Sequence, residues 1–591
     1  MIVQKFGGTS VADSQKILAA ARKAVRAHQE GNQVVMVVSA MGHNTDALVA
    51  LAREITDQPH AREMDMLLST GEQVSVALMA MAIHSLGCEA ISLTGAQIGI
   101  KTDSTHTKAR IQSISTERMR HALDQGKIVI AAGFQGIDED FNITTLGRGG
   151  SDTTAVALAA VLQADACEIY TDVDGVYTTD PRVLPEARHV KRVSYDEMLE
   201  LASLGAGVMH NRSIEFAKKF SVPIHVRTSF SDVPGTIISV LPEANDQPVG
   251  GAALAKNEAR VTILGIPDQP GTSYAIFSEI AAKAISVDMI VQNVGVEGLA
   301  DISFTVLRDD LPATLKAAQH VAATLEAEGV THGDDVAKVS VVGLGMARQT
   351  GVARRMFRAL ADEGVNILMI TTGDIKISVL VDRAQGAAAL GALHRAFGLD
   401  KEPTGAAANS TDLKALAHHA SDAVAVVARL QKMEELTIDD ITLDDTQARV
   451  TISGIADRPG IAAAIFDAVA DGGIFVDMIV QSYGREGKAK LSFTVPRTQY
   501  DACRAIVDKL AAAIQCGPIT AGASVAKLSI SGIGMRSHTE VAIRTFQCLA
   551  QVGINVDMIN TSEVRLNVVV DGQHGQQALA ALQQAFADAR Q

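Results

Sequence analysis

The chain has 591 residues, of which 47% are hydrophobic and 20% charged, and its formal net charge is −15. A chain of this length is expected to fold as about three to five domains, and its apolar content is sufficient for several hydrophobic cores. The negative charge argues against general binding to nucleic acids or anionic membranes, because such partners select for basic surfaces. Small anionic substrates are not excluded, because they need only a local cationic pocket.

The amino terminus and the cysteines favour a cytoplasmic protein. The first residues, 1–6, are strand-like, so we expect no signal peptide. The apolar stretch 153–167 contains Asp165 and is too short to span a bilayer. The cysteines are odd in number, form no CxxC pair and are interpreted as thiols in a reducing compartment. They are Cys88, Cys167, Cys503, Cys516 and Cys548.

Strands and helices alternate along the first module. The predicted strands are 2–6, 34–39, 128–132 and 167–171, and residues 14–28 form an amphipathic helix. Continuous β-branched runs such as VVMVVS are typical of strands that are covered on both faces. This alternation predicts a largely parallel α/β sheet with helices on both faces and with ligands at the carboxyl ends of the strands. A Pro- and Gly-punctuated stretch, 233–251, ends the module.

The motif KFGGTS at residues 5–10 follows the first predicted strand directly. Its glycines let the backbone approach a ligand, and their amides are able to bind phosphate oxygens near a helix start. Lys5 supplies a point charge, and Thr9 and Ser10 supply hydroxyl groups. The motif lacks the GxxxxGK[ST] pattern of a Walker loop. The alternative interpretation is a structural turn between a strand and a helix.

A second motif, GRGGSD at residues 147–152, precedes a helix predicted over residues 153–162. Gly-Gly-Ser at a helix start forms another anion nest. Arg148 is able to hold a carboxylate or phosphate through two parallel hydrogen bonds. Asp152 either caps the helix or takes part in the chemistry. A second anion nest on the same sheet favours the chemical role.

Further polar motifs are interpreted as following strand or helix ends. TDVDGVYTTDPR at residues 171–182 suits the ribose, base and phosphates of a nucleotide, and its alternative is a polar surface loop. SAMG at residues 39–42, Thr45 and STGE at residues 69–72 complete the polar set. Glu72 either pairs with a substrate ammonium group or is an ordinary acid in the first turn of a helix.

The second region contains an internal repeat with a constant offset of 189 residues. Residues 259–271 (ARVTILGIPDQPG) match residues 448–460 (ARVTISGIADRPG) at ten of thirteen positions, and residues 336–382 align with 525–571 without a gap. One structural unit has therefore been copied whole. A unique module followed by two copies of another suggests a catalytic part and a doubled regulatory part.

Each copy contains two halves with the order βαββα. In the first copy the predicted strands are 261–265, 287–294, 300–306, 339–343, 365–371 and 375–381, and the predicted helices are 273–284, 311–326, 351–362 and 384–397. Residues 400–411, DKEPTGAAANST, have the composition of a flexible linker, and residues 413–432 are predicted to form a helix. The sequences GLG and GIG at 343–345 and 532–534 are only half of a dinucleotide-binding motif, so they do not favour a dinucleotide site. The histidines show no metal-ligand spacing, so no protein metal site is predicted.

The motifs KFGGTS, SAMG, STGE, GRGGSD and TDVDGVYTTDPR, in this order, resemble those of the aspartokinase family in the amino-acid kinase superfamily, and the βαββα units with DxPG loops resemble ACT domains. The resemblance implies an α/β fold in which an amino-acid-kinase-type, largely parallel sheet sandwiched by helices precedes four ferredoxin-like (βαββαβ) ACT regulatory domains in two tandem pairs. The implied boundaries are 1–240 for the catalytic domain, 249–334 and 335–400 for ACT domains 1 and 2, 401–436 for a linker with a helix, and 437–523 and 524–591 for ACT domains 3 and 4.

The resemblance implies transfer of the γ-phosphoryl group of ATP, carried with Mg²⁺, to the side-chain carboxylate of L-aspartate, the first step towards lysine, threonine and methionine. It implies that Lys5 and Asp152 are catalytic. The implied ATP-binding residues are Lys5, Gly7, Gly8, Thr9, Ser10, Ser39, Thr171, Asp172, Tyr177 and Arg182. The implied aspartate-binding residues are Thr45, Glu72, Arg148, Gly149, Gly150 and Ser151.

ACT domains pair and bind amino acids, so the resemblance also implies lysine and/or threonine as effectors and a homodimer or higher homo-oligomer formed through these domains. The implied effector residues are Asp268, Pro270, Gly271, Gln292, Asn293, Asp457, Pro459, Gly460, Gln481 and Ser482. The family's TSE motif is kept at residues 561–563 but is TGD at residues 372–374, so the copies are expected to bind different effectors, or one of them to be structural. The alternatives are a kinase for another amino acid, such as glutamate, and a catalytically inactive ACT-type amino-acid sensor.

Overall fold

The computed structural model describes residues 1–205, 208–243, 247–296, 298–349, 351–403, 434, 436–482, 487–535 and 540–590. The helix predicted over residues 413–432 lies outside these residues. An amino-terminal α/β module is followed by a region built on one twelve-stranded sheet.

The first module contains three sheets and eight α-helices in its described residues. Its strands are β1 (Ile2–Phe6), β2 (Val34–Val38), β3 (Ala90–Leu93), β4 (Ile100–Thr102), β5 (Ile111–Ile114), β6 (Ile128–Ala132), β7 (Gln135–Ile137), β8 (Ile143–Thr145), β9 (Ala166–Thr171), β10 (Val176–Tyr177), β11 (His189–Val190), β12 (Arg192–Ser194), β13 (Ile224–Thr228) and β14 (Thr236–Ser239). Its helices are α1 (Ser14–Gln29), α2 (Asn44–Ile55), α3 (Ala61–Ser85), α4 (Gly95–Ile98), α5 (Glu117–Asp124), α6 (Gly150–Leu162), α7 (Tyr195–Ser203) and α8 (Asn211–Phe220).

The main sheet of this module has eight strands in the order β12-β14-β13-β9-β1-β2-β6-β3. The six strands from β13 to β3 are parallel, and β14 is antiparallel to β13. Strands β2 and β6 are buried along their whole length, as their unbroken apolar sequences predict. The carboxyl ends of β1, β2, β6 and β9 are therefore adjacent at one edge of the sheet. Within the stretch 233–251, which was expected to end the module, Thr236–Ser239 forms β14 of this sheet.

One helix among the described residues, α3, is long and apolar enough to cross a membrane, and 56% of its most apolar window is buried inside the protein. Asp65, Ser69 and Glu72 are also buried on it. These residues lie four and three positions apart, so they project from one face of the helix. A core helix that carries polar groups into the module accounts for this pattern.

The second region contains the four βαββα units that the repeat predicts. Its strands are β15 (Gly251–Pro267), β16 (Asp288–Val296), β17 (Leu299–Leu307), β18 (Gly329–Val342), β19 (Met369–Thr372), β20 (Lys376–Asp382), β21 (Thr437–Ala456), β22 (Ile479–Ser482), β23 (Lys488–Pro496), β24 (Ile519–Ile533), β25 (Met558–Thr561) and β26 (Arg565–Asp571). Its helices are α9 (Thr272–Ala281), α10 (Leu311–Thr324), α11 (Val352–Asp362), α12 (Gly386–Phe397), α13 (Ile461–Asp471), α14 (Tyr500–Ile514), α15 (Glu540–Gln551) and α16 (Gly575–Ala585).

Units 1 to 4 are centred on the helix pairs α9/α10, α11/α12, α13/α14 and α15/α16, respectively. Consecutive units exchange strands. The first part of β15, from Gly251 to Ala255, pairs with the end of β18 in unit 2, whereas its second part pairs with β17 and with the start of β18 in unit 1. Strands β21 and β24 repeat this arrangement in units 3 and 4. A unit is therefore completed by a strand from its neighbour, and this is why β15 and β18 are longer than their predicted counterparts.

The two copies of the repeat pair with each other inside the chain. Strand β19 of unit 2 pairs with β22 of unit 3, which makes the twelve-stranded sheet continuous. The rings of Phe357 and Phe466 are 5.2 Å apart between α11 and α13. The rings of Phe277 and Phe546, at the corresponding positions of units 1 and 4, are 5.6 Å apart. Unit 1 thus packs against unit 4 and unit 2 against unit 3.

Candidate active site and effector clefts

The KFGGTS and SAMG motifs form one continuous backbone surface beyond β1 and β2. The Gly42 amide donates to the Gly8 carbonyl over 3.0 Å, and the Gly7 amide donates to the Tyr170 carbonyl over 3.2 Å. A Cβ atom on residue 8 would lie 2.9 Å from the Ala40 carbonyl oxygen, so only glycine fits there. The loop after β1 is therefore held against its neighbours in a shape that a side chain would fill.

Lys5 and Asp152 join the two glycine-rich motifs. The Nζ atom of Lys5 lies 2.5 Å from Oδ1 of Asp152, and their side chains are only 11% and 14% exposed. Helix α6 begins at Gly150, three residues earlier than predicted, so Gly150, Ser151 and Asp152 lie in its first turn. Its amino-terminal cap is Gly149, in the left-handed conformation with φ of 72°, and no side chain caps the helix. The interpretation of Asp152 as a helix cap is therefore wrong; its carboxylate faces Lys5.

Glu72 lies in the middle of α3, not in a first turn or after a helix end, so those two interpretations are also wrong. Its Oε1 atom accepts a hydrogen bond of 3.1 Å from the Ala40 amide. Its Oε2 atom is buried and has no hydrogen-bond partner among the described residues. Burial raises the pKa of Glu72 to about 7, against the lowering effect of its backbone hydrogen bonds. A buried carboxylate with one unused oxygen, beside the SAMG loop, is suited to a cationic ligand group.

Sequence reasoning missed Asp65, two turns before Glu72 on the same helix. Asp65 is fully buried and accepts hydrogen bonds from His106 Nδ1 at 2.7 Å, from Thr145 Oγ1 at 2.5 Å and from the Thr107 amide at 3.0 Å. The Thr107 carbonyl in turn lies against Gly147 at the start of the GRGGSD motif. The helical spacing of Asp65, Ser69 and Glu72 was the available signal, because three polar residues on one buried face of a helix require buried partners.

The TDVDGVYTTDPR motif follows β9, next to the KFGGTS loop. The Ser10 and Ser229 hydroxyls are 2.5 Å apart, and the Ser229 amide donates to the Thr171 carbonyl over 2.9 Å. Thr171 donates to Asp172 over 3.1 Å. The TDVDGVYTTDPR motif and the KFGGTS loop thus lie at the same edge of the sheet.

Two residues of this motif bond to its own acidic side chains. The Tyr177 hydroxyl donates to Asp174 over 3.0 Å, and Arg182, whose side chain is 85% exposed, donates to Asp180 over 2.9 Å. Thr9 and Arg148 are exposed, and the Ser39 amide donates to the Phe6 carbonyl over 3.1 Å. Of the remaining predicted positions, Thr45 is in the first turn of α2, and Gly150 and Ser151, both buried, open α6.

The DxPG loops lie at the interfaces between paired units. The Asn366 amide of unit 2 donates to Asp457 of unit 3 over 2.7 Å, and Gln481 donates to the Ile367 carbonyl over 2.9 Å. Burial raises the pKa of Asp457 above its ordinary value. The cavity at this cleft, which Pro459 and Gly460 also line, is about 20 Å³, which is room for about one water molecule.

The corresponding cleft between units 1 and 4 repeats these contacts. The Asn555 amide donates to Asp268 over 2.6 Å, and Gln292 donates to the Val556 carbonyl over 2.7 Å. Gly271 is the amino-terminal cap of α9, as Gly460 is of α13. Pro270 and Ser482 occupy the loop and strand positions that the repeat predicts, and Ser482 is buried. The side chain of Asn293 is outside the described part of the structure.

No group of three or more His, Cys, Asp or Glu side chains within the described residues is placed to hold a metal ion. Mg²⁺ in kinases is commonly held by substrate phosphates, waters and one or two carboxylates. Of the groups here, the Asp152 carboxylate offers an oxygen ligand, and the glycine nest and Lys5 suit the phosphates with which such a metal would be bound.

Comparison with known proteins identifies the family. Residues 1–228 match the amino acid kinase family, and residues 339–397, 450–510 and 528–586 match the ACT domain. An aspartate kinase of Stutzerimonas stutzeri is 50% identical over 402 residues, which are 68% of this chain and 98% of that protein. The chain belongs to the aspartate kinase family. It is accordingly a phosphotransferase with a carboxyl group as acceptor, and the fold expected from its motifs is confirmed.

Solved structures of aspartate kinases share its architecture. The crystal structure of aspartate kinase from Synechocystis is 40% identical, has a TM-score of 0.52 and covers 100% of this chain and 98% of its own. E. coli aspartokinase III in complex with aspartate and ADP is 25% identical, with a TM-score of 0.57, and covers 67% of this chain and 99% of its own. The structure of the same enzyme in complex with lysine and aspartate has a TM-score of 0.53 and also covers 67% of this chain and 99% of its own.

Proposed function

We propose that the chain transfers the γ-phosphoryl group of ATP to the side-chain carboxylate of L-aspartate, giving 4-phospho-L-aspartate and ADP. The observation that carries the proposal is the Lys5–Asp152 ion pair, which joins two anion nests at one sheet edge beside the buried Glu72. ATP and aspartate are both anionic, so bringing them together requires two neighbouring anion-binding loops and a cation, here Lys5, that offsets their charge. The aspartate and ADP complex of E. coli aspartokinase III supports the choice of ligands.

The residues of the site take separate parts in this reaction. A carboxylate oxygen of aspartate attacks the γ-phosphorus as its bond to the β,γ-bridging oxygen breaks, and the electron pair leaves on ADP. The acceptor is already deprotonated at neutral pH, so no general base is required. Lys5 neutralises charge on the transferring group, Asp152 orients Lys5, and the loops at Gly7 and Gly8 hold the phosphates. Mg²⁺, bound with ATP, supplies further neutralisation of the phosphate charge.

The remaining assignments follow from position. Arg148 and the loop of Gly149, Gly150 and Ser151 hold a carboxylate of aspartate, and Glu72 and Thr45 hold its ammonium side. Ser39 and Thr9 complete the rim. The residues on the nucleotide side are Ser10, Thr171, Asp172, Tyr177 and Arg182. We place the protein in the cytoplasm, at the first step towards lysine, threonine and methionine; its five cysteines, all free, support this location.

The direct test measures ADP release by the full chain with Mg²⁺ and ATP, with aspartate or glutamate as acceptor, and traps the acyl phosphate with hydroxylamine. We expect aspartate-dependent turnover and an aspartyl hydroxamate product. Turnover with glutamate alone would assign the chain to another amino-acid substrate. An absence of turnover with either acceptor would favour a catalytically inactive ACT-type sensor.

Glu72 gives a pH-dependent prediction. Only the ionised carboxylate attracts the substrate ammonium, so the KM for aspartate is expected to be about tenfold higher at pH 6 than at pH 8, given a pKa of about 7. Glu72→Gln should raise the KM and remove this dependence. The measurement is the KM for aspartate from pH 6 to 8, with the KM for ATP as the internal control.

The same residue predicts a change in stability. A raised pKa means that the neutral form stabilises the folded state below the unfolded pKa, and that this contribution is lost as the pH rises through 7. Glu72→Gln, which can still accept from the Ala40 amide, should therefore unfold at a higher temperature than the wild type at pH 8 but not at pH 4.5. Equal unfolding temperatures at pH 8, together with an unchanged KM profile, would contradict the assignment.

We further propose lysine and/or threonine as feedback inhibitors that bind at the two DxPG clefts. An effector carboxylate would meet the backbone amides at the start of α9 or α13, and its ammonium group would meet Asp268 or Asp457. Both clefts are closed by Asn–Asp hydrogen bonds between units. Binding must therefore displace Asn366 or Asn555 and separate the paired units, and this separation links occupancy to conformation. Because Asn293 and Ser482 differ at equivalent positions, the clefts are expected to differ in effector or affinity.

Asp268→Ala and Asp457→Ala should each relieve inhibition by one effector or weaken one phase of it. A coupling free energy of about 1–3 kcal/mol corresponds to a loss of about 5- to 150-fold in inhibitor sensitivity. Uninhibited turnover should stay within about twofold of the wild type, because neither residue lies in the first module. Each variant serves as the control for the other. Calorimetry that detects no binding of lysine or threonine to the full chain would remove the feedback proposal.

We also propose a homo-oligomer. The edges of β19 and β22 already pair within one chain, so a second copy would use another surface of the ACT units.

A further inference from the structure

The GRGGSD loop is fixed from outside the motif by the amino end of α8. Arg212 donates to the Leu146 carbonyl over 2.5 Å and to the Ala109 carbonyl over 2.6 Å, so its guanidinium group holds the chain just before the loop. A Cβ atom on Gly149 would overlap the Cβ atom of His210, so the backbone of the loop rests directly on this residue. His210 is also the cap of α8 and accepts from the Arg212 amide. The position of the loop therefore depends on where α8 begins.

The intervening residue, Asn211, contacts the regulatory region. Its side-chain amide donates to Oε2 of Glu563 over 2.9 Å. Glu563 is only 2% exposed, and its backbone amide donates to Oε1 of Glu200 on α7 over 3.0 Å. Lys376 of unit 2 lies 2.7 Å from the other oxygen of Glu200, so units 2 and 4 converge on one buried carboxylate of the first module.

The two copies of the repeat differ in sequence at the residue that makes this contact. Glu563 ends the TSE motif of unit 4, and the corresponding residue of unit 2 is Asp374. Asp374 forms an ion pair with Arg565 of unit 4 and so remains within the regulatory region. Only the longer side chain of unit 4, in the described residues, places a carboxylate of this turn on α8.

We propose that Asn211 and Glu563 form a positioning contact through which unit 4 of the regulatory region holds the aspartate-binding loop. The inference rests on the proposed assignment of Arg148 and its loop to aspartate. Neither residue touches the reacting atoms in this scheme. Loss of the contact lets the start of α8 shift, and His210 and Arg212 then no longer fix the loop from both sides.

The test compares the full chain with Asn211→Ala, Glu563→Ala, the double variant and Glu563→Gln. A hydrogen bond to a charged group that fixes a binding loop should change kcat/KM for aspartate by about 5- to 50-fold. The KM for ATP should change by less than about twofold. The double variant should be no worse than the worse single variant, because both remove one contact. Glu563→Gln should recover most of the loss, because its carbonyl oxygen can still accept from Asn211.

Asp374→Asn is the matched control, since it removes the corresponding carboxylate at the turn that does not reach α8. It should leave kcat/KM for aspartate within about twofold of the wild type. The inference is overturned if Asn211→Ala and Glu563→Ala behave like Asp374→Asn, or if the KM values for ATP and aspartate rise together. Arg148→Ala in the same assay distinguishes a failure of the positioning contact from a failure of the assignment of the loop to aspartate. A loss with Arg148→Ala alone overturns only this inference, whereas no loss with Arg148→Ala overturns the loop assignment on which it rests.

Discussion

Lys5→Ala is expected to lower kcat by about 10²- to 10³-fold, the scale for removing one charge-stabilising group from a preorganised site. The ammonium group of Lys5 pairs with Asp152 of the second glycine-rich motif, where the proposed phosphoryl transfer would spread negative charge. Since the interaction strengthens in the transition state, the loss should appear in kcat more than in the KM for ATP. Steady-state kinetics with ATP and aspartate varied separately measure this split.

The Lys5→Ala variant also breaks the ion pair with Asp152, so it needs a control in which another ion pair of the module is broken. Removing Lys5 leaves a carboxylate that is 14% exposed without its counter-ion, so thermal unfolding should be measured alongside the kinetics. Lys218→Ala breaks an ion pair of 2.8 Å with Asp196 elsewhere in the module and should change kcat by less than about twofold. If Lys5→Ala retained nearly full turnover in a folded protein, the phosphate loop would be wrongly assigned.

The strands and the loop positions of the kinase module could be predicted from the sequence because their signals are local. Runs such as Val34–Val38 are apolar throughout, so they indicate a strand buried on both faces. KFGGTS follows such a run directly at the carboxyl edge of the sheet, whereas GRGGSD precedes a helix and was placed beside it as a second anion nest and by the resemblance of the motifs to those of aspartokinases. For this reason Lys5 and Asp152, 147 positions apart in the chain, could be assigned to one site before their contact was seen.

The environment of Glu72 was not predictable, because it depends on contacts between distant segments. Its position after STG resembled the start of a helix, yet α3 runs from Ala61 to Ser85 and passes through the motif. Polar residues are scattered among the apolar ones along this helix, so its hydrophobic periodicity is weak. Asp65 was missed for the same reason: its partners, His106 and Thr145, come from a different part of the chain.

The regulatory region shows the same division between local and long-range information. The repeat predicted four βαββα units and the equivalence of Asp268 and Asp457. It did not reveal that Gly251–Ala255 completes unit 2, because strand exchange leaves no local signal. Nor did it show that unit 1 pairs with unit 4, which places Asn555 opposite Asp268. The DxPG loops were therefore located from sequence, but the residues that close the clefts beside them were not.

Arg148→Lys is expected to reduce kcat/KM for aspartate nearly as much as Arg148→Ala, by about 10²- to 10³-fold. Hydrogen bonds to charged groups contribute about 1.5–3 kcal/mol each, and a guanidinium group makes two parallel bonds to a carboxylate. A lysine keeps the charge but offers only a point contact, so it does not restore the two-pronged geometry. The loop supports this role: Gly149 and the first turn of α6 hold the backbone beside Arg148, which is exposed at the rim and free to reach a substrate.

Separate measurements for aspartate and for ATP decide whether Arg148 serves the aspartate side or the nucleotide side of the site. The KM for aspartate should rise in both variants, whereas ATP binding, measured by calorimetry without aspartate, should change by less than about twofold. Arg182→Lys is the matched control: its guanidinium group pairs with Asp180 on the nucleotide side, so any effect should fall on ATP. Equal damage to ATP binding by Arg148→Lys would move Arg148 to the nucleotide. A fully active Arg148→Lys would show that charge alone suffices, because a lysine cannot reproduce the paired hydrogen bonds on which the aspartate assignment depends.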